Sequence, residues 1–433
     1  MHPASKPEIE SPPRRARAAG RGGLAWSPQG FLAIAVTRNA TTRTDPDLRA
    51  LLLALALALA TLGLPGRLPA AGAETSRPRG SGFAYQHDEV ADKPWSIHVL
   101  KVERNRPDLI FQTTIARSNS LGLSTLSEQL KALPRSLGTP LAAVNGDFWR
   151  EGRQFDGDPM GLQIRAGELI SAPVNRPCLW FDNAGQPQLG TVQSGLSVTW
   201  PDGRTTPFGL NEERTNGGAV LYTAATGAST RTRGGREIIL ERDGDTPWLP
   251  LQAGRKLSAR VRAVRPEGDT PLAADVLVLS LSPTLAESLP APAPGALLRL
   301  ATATTPDLGG VTTALGGGPT LVRDGQAVAF SGSQPRHPRT AVGWNDSHLF
   351  LVVVDGRQLK LSVGMSLPEL AAYMLKLGCQ QALNLDGGGS STFWVHGQVM
   401  NSPCYGKERS MANALVLVRR PANAGTSPAP PRP

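Results

Sequence analysis

Histidine and cysteine are scarce in this 433-residue chain, with six of the first and three of the second. No H-x-H or C-x-x-C spacing occurs, so neither a His/Asp two-metal centre nor a zinc site is written into the sequence. Aromatic residues make up 5% and charged residues 18%, both low. The aromatics do not interleave with basic residues as RNA-binding surfaces require. The net charge of +10 suggests a polyanion partner until it is located: residues 1–73 hold nine basic and four acidic side chains, half of the excess. The remainder is thin over some 360 residues, and no nucleic-acid partner is expected. Long apolar runs are also few. The one uninterrupted stretch, Leu51–Leu64, is too short for a bilayer core that needs roughly 20 residues.

That run follows Arg49 and is followed by Pro65 and then Ala71-Gly72-Ala73. A charged flank, a short apolar segment and a small-residue exit read as a secretory signal. Residues 1–73 are therefore expected to be a preface and signal, and the protein secreted or periplasmic, touching membrane only through that segment. Residues 1–48 are Pro/Arg-rich, which suits either a long n-region or an early start codon. Cys379 and Cys404 flank a glycine-rich turn and could approach each other, leaving Cys178 over.

What is abundant is glycine (47) and proline (38). With ordinary apolar content this predicts a turn-rich α+β fold dominated by β-sheet, with a few short helices packed on it. The folded part is expected over 83–420, with a β-rich region at about 187–303 and a Pro-rich, disordered tail at 421–433. Trp95–Val102 alternates as a strand, and Leu109–Ile115 reads as its hairpin partner. Thr125 with Glu128, and Ser366 with Glu369, form capping boxes that open helices. Leu141–Val144 is a strand delivering Asn145-Gly146-Asp147-Phe148-Trp149. Leu349–Val354 is a buried strand reaching Asp355-Gly356-Arg357. Ala382–Leu385 leads into Asp386-Gly387-Gly388-Gly389-Ser390-Ser391-Thr392. Glycines leave backbone N–H groups uncovered, so this turn is expected to aim successive amides at an anion, with the hydroxyls as further donors and Asp386 as a carboxylate. No Lys follows as in a Walker loop, and no helix follows as in a dinucleotide fingerprint.

The run ALNLDGGGSSTFWV (382–395) after SLPELAAYMLKLGC (366–379) resembles the signature of the phosphodiester glycosidase family, which includes the uncovering enzymes. NGDFW (145–149), HPRTAVGW (337–344), VVVDGR (352–357) and ERSMANALVLV (408–418) resemble its other landmarks, in order. The resemblance implies hydrolysis at the glycosidic C1–O bond of a sugar-1-phosphodiester, a phosphorylated glycan of the cell envelope among the candidates. There the leaving group is a phosphate monoester with a second pKa of about 6. It needs little help from an acid, but it does need donors on its oxygens and a carboxylate to activate water or attack carbon. Candidate carboxylates are Asp386, Glu408 and Asp147. Candidate substrate-binding residues are Arg339 as a phosphate fork, His337, Asn145, Asp355, Arg409 and the turn residues Gly387, Gly388, Gly389, Ser390 and Ser391. No metal ligand set is assigned and no cofactor is required. Ca²⁺ on Asp386 and nearby carbonyls is the one cation the turn could take. Two other readings stand beside this one: a metal-dependent phosphodiesterase breaking P–O, and a non-catalytic envelope carbohydrate-binding protein.

Overall fold

The computed structural model describes residues 81–90, 92–151, 155–245 and 247–421. The signal-like run 51–64, the whole 1–73 preface and nearly all of the Pro-rich tail lie outside these residues.

Among the described residues four β-sheets carry the fold, and the helices are short. A seven-stranded sheet runs, in order, Phe83–Val90, Trp95–Glu103, His348–Val354, Arg339–Trp344, Gln381–Asn384, Thr320–Arg323 and Gln326–Ala327. Its central strands read as continuous apolar runs because both faces are covered. Leu100, Leu351 and Val353 face one core; Ile97, Val99, Val352 and Val354 face another that includes the helix Leu367–Lys376. That helix opens on the Ser366/Glu369 capping box and buries Leu370, Ala371, Tyr373 and Met374. Gly378, at φ +82°, supplies the left-handed residue just past its end. The helix Leu126–Lys131 is likewise opened by the Thr125/Glu128 box.

One pairing differs from the sequence expectation. Leu109–Thr113 does not pair with Trp95–Glu103, which lies between Phe83–Val90 and His348–Val354. It pairs instead with Ala414–Arg419, in a five-stranded sheet that also holds Thr139–Asn145 and Phe393–Val395. A turn signal such as Asn105–Asp108 marks a reversal but not a partner, and burial against a strand three hundred residues away decides it.

The β-rich region forms an eight-stranded wall from Gln193–Thr199 through Leu297–Thr305, antiparallel except for the short edge strand Gly209–Leu210, with its own core around Leu196, Val198, Ile238, Leu240, Leu279 and Leu300. A second five-stranded sheet, built from Gln163–Arg165, Glu168–Ser171, Pro177–Phe181, Pro187–Thr191 and Thr313–Gly316, joins this wall to the rest. Alternation along its strands sends Ile164, Cys178 and Ala314 into the wall's core, and Leu179 and Leu315 into that of the seven-stranded sheet. Among the described residues no helix is long and apolar enough to cross a membrane. All three cysteines are free thiols: Cys379 is packed in the core beside the long helix while Cys404 sits on a half-exposed loop, so the approach their positions allowed does not become a disulfide.

Candidate functional site

Three strand ends meet where the glycine-rich turn begins. Thr139–Asn145 and Gln381–Asn384 belong to different sheets, and their ends are clipped together by hydrogen bonds. Asp386 N–H donates to Gly146 O (3.0 Å), and Asn145 Nδ2 donates to Asp386 O (2.6 Å). Asn145 Oδ1 accepts from Thr340 Oγ1 (2.7 Å) and from Thr392 N–H (3.1 Å). Every polar atom of the Asn145 amide therefore has a partner inside the fold. The expected role in reading a sugar hydroxyl gives way to one in holding the turn.

The turn itself works differently from the anion cradle expected of it. Gly387 N–H donates to Asp386 Oδ1, Gly388 N–H to Pro338 O, Ser390 N–H to Gly387 O and Ser391 N–H to Gly388 O. These amides are consumed within the protein. Ser390, Ser391 and Thr392 are buried as well, so their hydroxyls lie inside the turn rather than in a cleft. What the glycines supply is room. At Gly388, with φ +61°, a Cβ would sit 3.1 Å from the Arg357 Nη2, and at Gly389 it would strike the Tyr405 ring. An arginine and a tyrosine thus lie directly against the turn.

Asp386 is the carboxylate this arrangement presents. Burial pushes it up to about 6; Ser390, the Gly387 N–H and Arg409 counteract, and Glu151 adds to the rise. Ser390 Oγ is close enough to exert that pull yet makes no hydrogen bond of good geometry. Arg409 forms an ion pair with Glu151 and lies over the Trp149 ring at 4.8 Å. Asp147 stands behind. It is almost fully buried, the backbone at Gly161 and Gly316 closes over its Oδ2, and that atom has no partner. Burial raises it to about 7, against the pull of Arg176 3.7 Å away and of the Phe148 and Gly161 N–H groups; Asp386 repels it further. Covered in this way, Asp147 has Arg176 and Asp386 among its charged neighbours.

The remaining candidates divide sharply. His337 Nδ1 lies 3.5 Å from Arg357 Nη2, and desolvation, with Arg339 and Arg357 nearby, lowers its pKa, so the ring is neutral at pH 7. Arg339 is not a free fork: Nε donates to Met365 O (2.8 Å) and Nη2 to Pro335 O (2.9 Å). Asp355 is closed off altogether. Its oxygens accept from Ser96 Oγ, His98 Nε2, Asn401 Nδ2 and Ser402 N–H at 2.9–3.1 Å, which makes it a buried hub rather than a substrate contact. Glu408 accepts the Ser127 N–H (3.0 Å) in the first turn of the helix Leu126–Lys131. Sequence reasoning missed Arg357, Tyr405 and Glu151. Arg357 stood inside the quoted VVVDGR motif and was the one signal available. Among the described residues the tryptophans are buried or half-buried, and the open ring is Tyr405.

A cavity of about 360 Å³ opens elsewhere, beside the stacked rings of Phe111 and Phe181. None of the site residues lines it. Among the described residues no cluster of three His, Cys, Asp or Glu side chains is placed to hold a metal ion.

Fold and site together define a sheet-built α+β protein with a raised carboxylate at a glycine turn, ringed by arginines. Comparison with known proteins agrees with this class. The sequence profile of the phosphodiester glycosidase family matches residues 253–418 of this chain. It is 35% identical over 96 residues to the SPbeta prophage-derived uncharacterized protein YomE of Bacillus subtilis, covering 22% of this chain and 15% of that protein. It is 42% identical over 66 residues to the N-acetylglucosamine-1-phosphodiester alpha-N-acetylglucosaminidase of Bos taurus, covering 15% of this chain and 12% of that one. The matches thus span well under a quarter of either relative. The crystal structure of a hypothetical protein from Synechocystis shares the fold, with a TM-score of 0.62 at 22% identity, over 78% of this chain and 62% of that one.

Proposed function

We propose that the protein is an exported hydrolase that cleaves the glycosidic C1–O bond of a sugar-1-phosphodiester in cell-envelope or extracellular glycans. The observation that carries this is Asp386, a partly open carboxylate lifted to about 6 beside the arginines that ring the turn. At neutral pH it is mostly ionised yet poorly solvated, which suits a base or nucleophile. No second open carboxylate is needed as acid, because the departing phosphate monoester is already stable as an anion. Arg357, lying against Gly388, can take the phosphate oxygens in a charge-assisted contact. Neutral His337 beside it can share them. The exposed Tyr405 ring offers a face to the sugar. Glu151 and Arg409 set the charge felt by Asp386. Ca²⁺ would have to draw its oxygens from Asp386 and backbone carbonyls, and no step of this mechanism runs through it. Export rests on the signal-like run 51–64 and the small-residue exit at 71–73.

The test is turnover of UDP-N-acetylglucosamine and of an alkyl sugar-1-phosphodiester in H₂¹⁸O, with and without chelator. Label should appear in the sugar. Label in the phosphate would mean P–O cleavage and overturn the glycosidase reading.

A further inference from the structure

The rim of the glycine turn is apolar as well as cationic. Among the described residues six large hydrophobic side chains are exposed, and three of them fall on the two loops framing the turn: Leu359 (86% exposed), Leu361 (37%) and Tyr405 (63%). The loops are laced to each other. Gln358 Nε2 donates to Ser402 O (2.8 Å), and Ser402 Oγ donates to Gln358 Oε1 (2.9 Å). The first loop is also closed on itself, since Gln358 and Ser362 exchange both backbone hydrogen bonds at 3.0 and 2.7 Å. Ser362 Oγ anchors it to Asp355 O (2.6 Å). Leu359 and Lys360 therefore stand at the tip of a tied turn whose exposure is built in.

The charge on this rim has one dominant sign. Arg357, Lys360 and Lys407 interleave with the apolar residues, and segments 356–364 and 402–407 contain no acid. The neighbouring acids are engaged: Glu408 with Ser127 N–H, Glu151 with Arg409 and Glu369 with Arg336. The segment next to Val363, which donates to Pro94 O, adds Lys93 and one acid, Asp92. Exposed leucines and a tyrosine set among lysines fit the interface of a lipid bilayer, with apolar tips among the upper acyl chains and ammonium groups on lipid phosphates. A protein partner would need its own acidic patch to match the lysines, whereas an anionic bilayer offers phosphates along the whole rim.

We infer that the loops 356–364 and 402–407 are a docking surface for a bilayer carrying anionic headgroups. The surface stands on its own observations. That it brings Asp386 to sugar-1-phosphodiesters held at a membrane rests on the functional reading above.

The experiment is hydrogen exchange on the full chain, read peptide by peptide, with vesicles of phosphatidylcholine alone or with about 30% phosphatidylglycerol. Reading the loops themselves keeps any insertion of the 51–64 run from being mistaken for docking. Exchange should slow in 356–363 and 402–407 with the anionic vesicles only. Leu359→Ser/Lys360→Gln should abolish that protection, and each lysine removed should weaken vesicle binding roughly fivefold. The double variant should still turn over a soluble alkyl sugar-1-phosphodiester, since neither side chain belongs to the cleft. Unchanged exchange in both loops on bound vesicles would overturn the inference, as would equal protection by the neutral vesicles. Protection that grows with protein concentration without lipid would assign the patch to a second copy of the chain. Loop protection without turnover of the soluble substrate would sink the glycosidase reading and leave the docking surface standing.

Discussion

Two buried carboxylates, one in each half of the molecule, are solvated by the protein in opposite ways. In the eight-stranded wall, Glu237 is fully buried and accepts from Thr232 Oγ1 (2.7 Å), Ser280 Oγ (2.9 Å) and the Thr270 N–H (2.9 Å). Beside the glycine turn, Asp147 keeps an oxygen with no partner and faces a second carboxylate, Asp386. A buried charge with its full set of donors stabilises a fold, whereas one left short is destabilising and persists where chemistry uses it. The contrast separates a structural wall from a working cleft more clearly than any motif.

Seven substitutions probe that contrast, from the largest expected effect to the smallest. Asp386→Asn should lower kcat/KM for an alkyl sugar-1-phosphodiester by roughly 10³-fold, within the range of lost acid–base groups. Its thermal midpoint should not fall, as circular dichroism would show. Glu237→Ala should do the reverse, costing about 3 kcal/mol in denaturant titrations by orphaning three donors, with kcat/KM unchanged in native buffer. Loss of activity there without loss of stability would erase the distinction between the two regions. Arg357→Met should reduce kcat/KM by roughly 10²-fold, the scale of one lost charge-assisted contact, while Arg339→Met should act mainly on stability because two of its donors hold carbonyls.

Asp147→Asn tests the same idea through pH. A carboxyl raised from about 4 in the unfolded chain to about 7 in the fold binds more protons when folded. Its stabilising contribution is complete below the unfolded value and is lost as pH rises through 7. Melting curves between pH 4 and 8 should therefore fall less steeply for the variant, which should be the more stable protein at pH 8. The smallest effects concern the acid limb of the kcat/KM profile, expected near pH 6 from Asp386. Glu151→Gln removes a repulsion and should move the limb down by a few tenths of a unit, and Arg409→Gln should move it up. A limb indifferent to both would place its titration on another group.

Much of the fold could be read locally. Both capping boxes open the helices they announce, and the apolar runs at 349–354 and 382–385 are buried strands. Capping and alternation act over a few residues, so a few residues reveal them. The pairing of Leu109–Thr113 with Ala414–Arg419 left no such trace, because register between distant strands depends on which apolar faces must be covered together. The site was legible as a neighbourhood, with Asn145, Asp147, His337 and Asp386 all close to the turn. Individual roles were less so. Arg339 and Glu408 carry the right chemistry, yet one holds carbonyls and the other a helix N-terminus.

By itself the sequence determined a sheet-dominated α+β fold, the helix ends, and a glycine turn with Asp386 at its start. These follow from steric and hydrogen-bonding rules that operate between neighbours in the chain. Only the tertiary structure decided that the Gly387, Gly388, Ser390 and Ser391 amides are consumed internally, that Arg357 and Tyr405 lie against the turn, and that Asp147 is covered while Asp386 stays partly open. Whether a donor or a carboxylate remains available depends on which carbonyls and amides the rest of the fold brings within about 3 Å of it.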